Sequence, residues 1–485
     1  MQNKFYITTA IDYVNGAPHI GHALEKIQAD AVARHERGKG RSVFFLTGTD
    51  EHGAKIARAA AAAGKTPQEF ADATSAQFKA LKETLNLSWD DFIRTTDREK
   101  HWPGAEFMWR KLEEAGDLYK KSYKGLYCVG HEAFITEKDL VDGKCRDHLT
   151  APETVEEENY FFRLSKYSKV IGEKIRSGEL QIIPESRKNE ILSLIDHPGL
   201  EDVSFSRPRK DLAWGVPVPG DKAQTMYVWC DALTNYVSAI GYGRNEDWKK
   251  WWPAEVQVLG KDILRFHAAI WPGMLLAAGL ALPRKLFVHG HLSVDGQKMS
   301  KTIGNVVDPF ALVKQYGTDA VRYYLLREIP SGEDGDFSEE KFRERYNADL
   351  ANGLGNFAAR VLTLGSGMGD LDGGTKPGAE ITAKIAETKA AVDAKMQQFQ
   401  FHEALAAILG LVSFGDEYVN KSEPWKIADT VKKKEIVFNL VVLLDNIAAM
   451  ILPFLPETSA KITQCIVWQG STLTAKKGGA LFPRL

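Results

Sequence analysis

At 485 residues the chain has room for about three structural units of ~150 residues each, enough to bury more than one core. Its 62 Lys and Arg against 64 Asp and Glu give a net charge of −2, so no global positive field draws it onto nucleic acid, and any RNA site must be a local patch. With 44% hydrophobic and 26% charged residues, the composition excludes fibrous, low-complexity and disulfide-scaffold classes.

The opening Met1-Gln2-Asn3-Lys4-Phe5-Tyr6 lacks the charged region and apolar core of an export signal, so a cytoplasmic protein is expected. Lys4 to Ala10 reads as a strand, Asn15-Gly16-Ala17-Pro18 as a turn, and His19 to about Arg37 as a helix. Arg41 to Thr47 reads as a second strand, and Gly48-Thr49-Asp50-Glu51-His52-Gly53 leads into an alanine-rich helix. Strand, helix, strand, helix implies a parallel sheet, whose first half we assign to residues 1–117. Near Tyr119 the helical period gives way to short segments holding Cys128, His131, Cys145 and His148, and we place an inserted module at 118–215. Thr225 to Trp229, Val256 to Gly260 and Lys285 to Gly290 read as strands of the sheet's second half, residues 216–290. A loop-bearing linker is expected at 291–345 and a helical bundle at 346–485. The most apolar stretch, Asn439 to Leu455, is interrupted by Asp445, Asn446 and Pro453, short of the ~20 apolar residues that span a bilayer, so no membrane anchor is expected. The fold class is α/β, a Rossmann-like open parallel sheet followed by helices.

Two short motifs carry chemistry. His19-Ile20-Gly21-His22 stands at the start of the first helix, where unpaired N–H groups and the helix dipole favour an anion. Imidazoles at i and i+3 share one face there and can donate to phosphate oxygens, and Gly21, without a side chain, lets a flat base or ribose come close. Lys298-Met299-Ser300-Lys301 follows a strand end and polar turn, which puts two ammonium groups on an exposed loop able to neutralise a triphosphate. A third cluster, Cys128-x-x-His131 and Cys145-x-x-His148, has the paired spacing of one tetrahedral Zn²⁺ stapling an insert with little core of its own; a knuckle that has lost its metal is the alternative. Four cysteines in so long a chain make no disulfide framework.

Together and in this order, the two motifs resemble the paired signatures of the class I aminoacyl-tRNA synthetases. The resemblance implies adenylation: an amino-acid carboxylate attacks the α-phosphate of ATP, pyrophosphate leaves, and the aminoacyl group passes to the 3′-terminal ribose of a tRNA. It makes His19, His22, Lys298 and Lys301 catalytic. It gives Gly21, Gly260, Asp262, His291, Met299, Ser300 and Lys301 to ATP, with Mg²⁺ accompanying the nucleotide. Thr302 stands where serine is common and keeps the hydroxyl. The segments around Tyr13, Asp50, Tyr227 to Ala232, Gly260 to Ile263 and Phe266 to Pro272 resemble those that build the amino-acid pocket of the methionyl-tRNA synthetase family. An aromatic cup of Tyr13, Trp229, Tyr236 and Trp271 with apolar Ile11, Ala232, Leu233 and Ile263 suits an unbranched thioether. Asp50 would take the ammonium group and His267 would lie beside the sulfur, while Leu233 replaces a common proline and Asp12 is an unusual charged neighbour. The interval from His22 to Lys298 leaves no room for a large editing domain, which favours L-methionine over isoleucine or valine. A family zinc knuckle usually has a cysteine at the position of His131, so two thiolates and two imidazoles would hold a structural ion here.

In the helical third, Asn356 and Arg360 lie at i and i+4 on one helix face, and Glu423-Pro424-Trp425 sets an indole at a loop-to-helix junction. An amide, a guanidinium and an indole suit unpaired bases, and the resemblance makes these three the anticodon-binding residues for tRNA(Met). Asp319 to Arg327 resembles the segment linking the catalytic and anticodon domains, with charges expected in packing. A monomer is expected. The competing readings are a class I synthetase for another apolar amino acid, and a tRNA-binding paralogue without turnover.

Overall fold

The computed structural model describes residues 3–485 apart from 132, 136, 148, 300–303 and 372–376. His148, Ser300, Lys301 and Thr302 therefore lie outside the described residues. The chain gathers into two compact units: one from Met1–Pro18, Gly40–Lys82 and Trp89–His289, the other from His19–Lys39, Glu83–Ser88 and Gly290–Leu485.

The first unit is built on a seven-stranded sheet of β1 (Lys4–Thr9), β2 (Asp12–Tyr13), β3 (Ser42–Asp50), β4 (Asp91–Arg94), β5 (Gln181–Ile183), β6 (Val256–Gly260) and β7 (Lys285–His289). All its pairings are parallel, in the order β5-β7-β6-β1-β3, with β2 and β4 also on β3. Strands covered on both faces need near-continuous apolar runs, and β6 is buried at every position. β3 runs three residues beyond Thr47 because its polar side chains find internal partners: Thr47 Oγ1 lies 2.7 Å from Thr9 Oγ1, and Thr49 Oγ1 donates to Glu51 at 2.7 Å. Between the pairs Thr8↔Leu46 and Asp12↔Thr49 the leading strand carries one extra residue. Such a bulge re-aims the side chains that follow it, here Ile11 and Tyr13.

Three expectations need correction. Thr225 to Trp229 is not a strand of the open sheet. Asp221–Met226 pairs antiparallel with Ser206–Pro208 and Pro217–Val218 in a separate three-stranded sheet, and the chain then turns into helix α2 (Val228–Leu233). A short apolar run has the same pattern in either state, and the outcome is decided by tertiary bonds such as Met226 N–H to Val216 O at 2.7 Å. Second, Gln181–Ile183, inside the 118–215 segment, supplies β5 of the main sheet. The insert proper is an antiparallel sheet of Leu118–Cys128, Ala133–Ile135, Glu153–Phe162 and Val203–Ser204. Third, the helix α1 (Ile20–Gly38), although it follows β1 in sequence, belongs to the second unit. A fully buried Arg322 holds it there, with Nη2 2.8 Å from Asp30 Oδ2 and donations to the carbonyls of Leu85, Pro453 and Phe454.

The second unit is mostly helical, as its periodicity predicts, with a small sheet of Leu292–Val294, Gln297–Lys298 and Gly335–Phe337 and a hairpin of Ile466–Gln469 and Thr472–Ala475. The apolar stretch around residue 440 is the buried face of the Thr430–Ile451 helix, and no described helix is long and apolar enough to cross a membrane. Asp319, in the linker, caps the Pro456–Gln464 helix by accepting from Thr458 N–H at 2.6 Å, which is the packing role expected of that segment's charges.

Candidate active site

In the first unit the residues read as an amino-acid pocket lie together. Leu233, Tyr236 and Trp271 belong to one buried core, and Ile11, Tyr13, Trp229 and Ile263 pack against it. Ala232 and His267 are buried too. Tyr236 O–H lies 2.7 Å from His267 Nε2, and His267 Nδ1 lies 3.0 Å from the Ile263 carbonyl. A carbonyl only accepts, so Nδ1 carries the ring proton and Nε2 accepts from the tyrosine. The ring is thereby fixed in one tautomer, with both nitrogens engaged. His267 lies in a π-helical turn, Phe266–Ile270, a distortion frequent at functional sites. Trp229 stacks on Phe266 with centroids 3.7 Å apart, a partner that periodicity gave no means of finding. Trp271 meets Tyr236 at 5.8 Å between centroids, and its indole N–H is buried with no hydrogen-bond partner among the described residues. Asp50 is buried at the end of β3, paired with Tyr13, and Asp12 is buried beside it on β2.

Both neighbours of Asp50 on its C-terminal side are anchored. Glu51 receives a bidentate contact from Arg94, at 2.7 and 2.9 Å. His52 Nδ1 lies 2.6 Å from one carboxylate oxygen of Asp231, and His101 Nε2 lies 2.6 Å from the other. His101 Nδ1 is 2.8 Å from Ser238 Oγ. Burial alone would raise the Asp231 carboxyl, but the charges and hydrogen bonds of His52 and His101 hold it at about 2. None of His52, His101, Asp231, Glu51 and Arg94 was singled out from sequence. The available signal was Asp231 itself, a carboxylate set between Trp229 and Ala232 in an otherwise apolar segment, which cannot be buried without partners.

The residues read as nucleotide-binding divide between the units: Gly260 and Asp262 in the first, Gly21, His291, Lys298 and Met299 in the second. A Cβ on Gly260 would come within 2.7 Å of Asp262 Oδ1. In the second unit His19 is the N-cap of α1. Its Nδ1 accepts from Gly21 N–H at 3.1 Å, while His22 Nδ1 accepts from His19 N–H, also at 3.1 Å. Each ring thus satisfies an otherwise orphaned helix N–H, and the two rings stack at 3.8 Å. A nitrogen that accepts holds no proton, so both Nε2 atoms are N–H donors. A side chain at position 21 would press into this arrangement, since a Cβ there would meet His19 Cε1 at 2.9 Å and Met299 Cε at 3.9 Å. The helix start is also tied beyond the lysine loop by Ile20 N–H to Val307 O at 3.0 Å. Lys298 is exposed at the end of a hairpin turned by Asp295 and Gly296, both at positive φ.

Of the four expected metal ligands, Cys128, His131 and Cys145 have donor atoms all within 4.8 Å of one another. His131 Nδ1 faces Cys145 Sγ at 3.6 Å, and Nε2 lies 3.0 Å from Asp147, the outer carboxylate contact that orients a ligating histidine. The donor set therefore fits a soft or borderline cation. In the helical region Asn356 opens helix α3 (Asn356–Ser366) and is exposed. Arg360 donates to Asp416 at 2.9 Å and to Asn420 at 2.7 Å, both on helix α4 (Phe401–Ser422). Trp425 stands 52% exposed on the turn Pro424–Lys426.

Residues 5–148 and 136–362 match the family model described as tRNA synthetases class I (M), and 379–480 match the anticodon-binding domain of tRNA ligase. A methionine–tRNA ligase of Clostridium perfringens is 44% identical over 508 residues, covering 100% of this chain and 78% of that protein. One from Rhizobium meliloti is 44% identical over 479 residues, covering 96% and 92%. Among solved structures, a Mycobacterium tuberculosis methionyl-tRNA synthetase in complex with methionyl-adenylate superposes with a TM-score of 0.93 at 39% identity, covering 99% of this chain and all of that one. The parallel-sheet unit, the reciprocally capped histidines and these full-length likenesses agree, and the chain belongs to the methionine–tRNA ligases, class I aminoacyl-tRNA synthetases.

Proposed function

We propose that this ligase activates L-methionine with ATP to methionyl-adenylate and pyrophosphate, then transfers the methionyl group to the 3′-terminal ribose of tRNA(Met). The observation that carries the reading is one unit's combination of a buried carboxylate, Asp50, with the wall of Trp229, Tyr236, His267 and Trp271. Asp50 orients the ammonium group. Ile11, Tyr13, Ala232, Leu233 and Ile263 enclose the thioether, which gains from apolar burial and sulfur–aromatic contact. With both nitrogens of His267 engaged, its ring offers the sulfur an edge with no hydrogen bond to give.

In the adenylation step the methionine carboxylate attacks the α-phosphorus and the bond to the bridging oxygen of pyrophosphate breaks. The Nε2–H groups of His19 and His22 donate to phosphate oxygens as charge develops, and Lys298 and Lys301 hold the β- and γ-phosphates. Gly21, Gly260, Asp262, His291, Met299 and Ser300 form the remainder of the nucleotide site. Mg²⁺, when bound with ATP, neutralises part of the phosphate charge. Cys128, His131, Cys145 and His148 would hold a structural Zn²⁺ that ties the insert together. Asn356, Arg360 and Trp425 read the anticodon by hydrogen bonding and stacking. We assign this work to the cytoplasm, where tRNA is charged for translation.

The test is amino-acid-dependent ATP–pyrophosphate exchange, run with each of the twenty amino acids and no tRNA. Exchange confined largely to methionine supports the pocket and the reaction together. Maximal exchange with leucine, isoleucine or valine would keep adenylation and overturn the pocket, and folded protein without exchange would overturn the catalytic reading.

A further inference from the structure

We propose that His52, Asp231 and His101 are positioning residues that set the length of the methionine pocket, and through it the discrimination among unbranched side chains. The inference rests on the pocket reading above. His52 follows two residues after Asp50, the ammonium partner, at the end of β3. Asp231 immediately precedes Ala232 and Leu233, which enclose the side chain, and follows Trp229 by two residues on α2. The 2.6 Å bond from His52 Nδ1 to Asp231 therefore joins the element that holds one end of the amino acid to the element that holds the other. His101 makes the second 2.6 Å bond to the same carboxylate, and its Nδ1 reaches Ser238 Oγ, two residues beyond Tyr236. A further tie on the same path is Tyr13 O–H to the His52 carbonyl at 3.0 Å.

All three side chains are essentially removed from water, at 2%, 1% and 0% exposure for His52, Asp231 and His101. In such surroundings charge-assisted bonds are strong and their geometry is closely specified. Apolar packing alone would let α2 slide by a few tenths of an ångström, because dispersion contacts are weakly directional. Two short bonds to one carboxylate do not allow this. A thioether one methylene longer or shorter differs little in transfer free energy, so a pocket that separates them needs ends held at a fixed distance. None of the three residues lies among the groups that touch the substrate in the reading above, so their effect must pass through Asp50, Ala232, Leu233 and Tyr236.

The experiment measures kcat and KM in ATP–pyrophosphate exchange for methionine, homocysteine, ethionine and norleucine, and KM for ATP. The variants are Asp231→Asn, His101→Leu and His101→Gln, with Asp50→Asn as the control for the pocket itself. Gln places an amide N–H near the position of Nε2 and keeps the bond to Asp231, whereas Leu removes it. The expected result is a rise of about tenfold in KM for methionine in Asp231→Asn and His101→Leu, with KM for ATP within twofold. Selectivity for methionine over ethionine and homocysteine should narrow by a similar factor, and His101→Gln should regain most of the loss. If Asp231→Asn does not fold, the His101→Leu and His101→Gln pair decides alone. An unchanged KM and selectivity in folded His101→Leu, or an equal loss in both His101 variants, would overturn the proposal. No effect of Asp50→Asn on methionine KM would instead overturn the pocket reading on which it stands.

Discussion

In the proposed reaction His22 has two tasks on two different atoms, and substitution can separate them. Its Nδ1 accepts from the His19 backbone N–H at 3.1 Å, which leaves Nε2–H to face the developing charge of the phosphate. Asn at this position can put its amide oxygen near Nδ1 and keep the cap, but it has nothing at Nε2. Gln can put an N–H near Nε2, but it reaches past the cap. Losing a transition-state donor costs about 10²–10³-fold in rate, and losing a helix cap costs about 1 kcal/mol. We therefore expect His22→Asn to lower the rate of adenylate formation by about two orders of magnitude with little change in melting temperature. His22→Gln should retain far more activity and melt about 2–4 °C lower. The assay is single-turnover methionyl-adenylate formation under saturating ATP and methionine, with thermal unfolding followed on the same preparations and methionine binding by fluorescence. Methionine affinity should stay within twofold in both, because the lost contact is to the transition state. Activity retained in His22→Asn and lost in His22→Gln would refute the assignment of Nε2 as the donor, and equal losses in rate and in methionine binding would refute the division of roles.

Other consequences follow from the same geometry. Trp425→Ala should raise KM for tRNA in aminoacylation by about 10–100-fold, the worth of one stacked base, and leave tRNA-independent exchange unchanged; an equal fall in exchange would remove it from anticodon reading. Arg322→Met leaves the carbonyls of Leu85, Pro453 and Phe454 without their donor and removes one of two arginines facing Asp30, so unfolding in urea should show a loss of about 3–5 kcal/mol. A loss below about 1 kcal/mol would show that the buried charge is not a fastening. Burial would raise the Asp30 carboxyl, but Arg322 and Arg34 hold it below its ordinary value. A depressed folded-state pKa contributes stability that is complete above the unfolded value of about 3.9 and disappears as pH falls through the folded one. The wild type should therefore lose this contribution only below about pH 4, while the gap to Arg322→Met closes from the higher pKa that Asp30 takes without Arg322; a wild-type loss centred near pH 6 would point to a histidine instead. Cys145→Ser should abolish bound zinc, measured by elemental analysis, and expose the insert to proteolysis while exchange persists. Full zinc content in that variant would exclude the thiolate as a ligand.

The local grammar of this chain is visible in its residues. The β-branched and aromatic runs that become β1, β6 and β7, the histidines at the start of α1, the polar turn before Lys298 and the helical last third all follow from nearest-neighbour rules: period, turn residues and capping. The candidate chemistry at His19, His22 and Lys298 is equally local, because a helix N-terminus and an exposed loop are what those residues need. What the tertiary structure alone decided are the partnerships between segments distant in the chain. Whether Thr225 to Trp229 joined the parallel sheet, ended a separate antiparallel one or turned helical depended on bonds from Val216 and Phe205, which no window around the segment contains. The grouping of α1 with the C-terminal helices depended on Arg322 meeting Asp30 across 292 positions of sequence. The histidine pair on Asp231 came from positions 52 and 101. Sequence period reports which faces must be buried, because burial is a property of each residue. It is silent on which buried charge meets which, because in an interior of low dielectric that choice is fixed by direction and distance between whole segments.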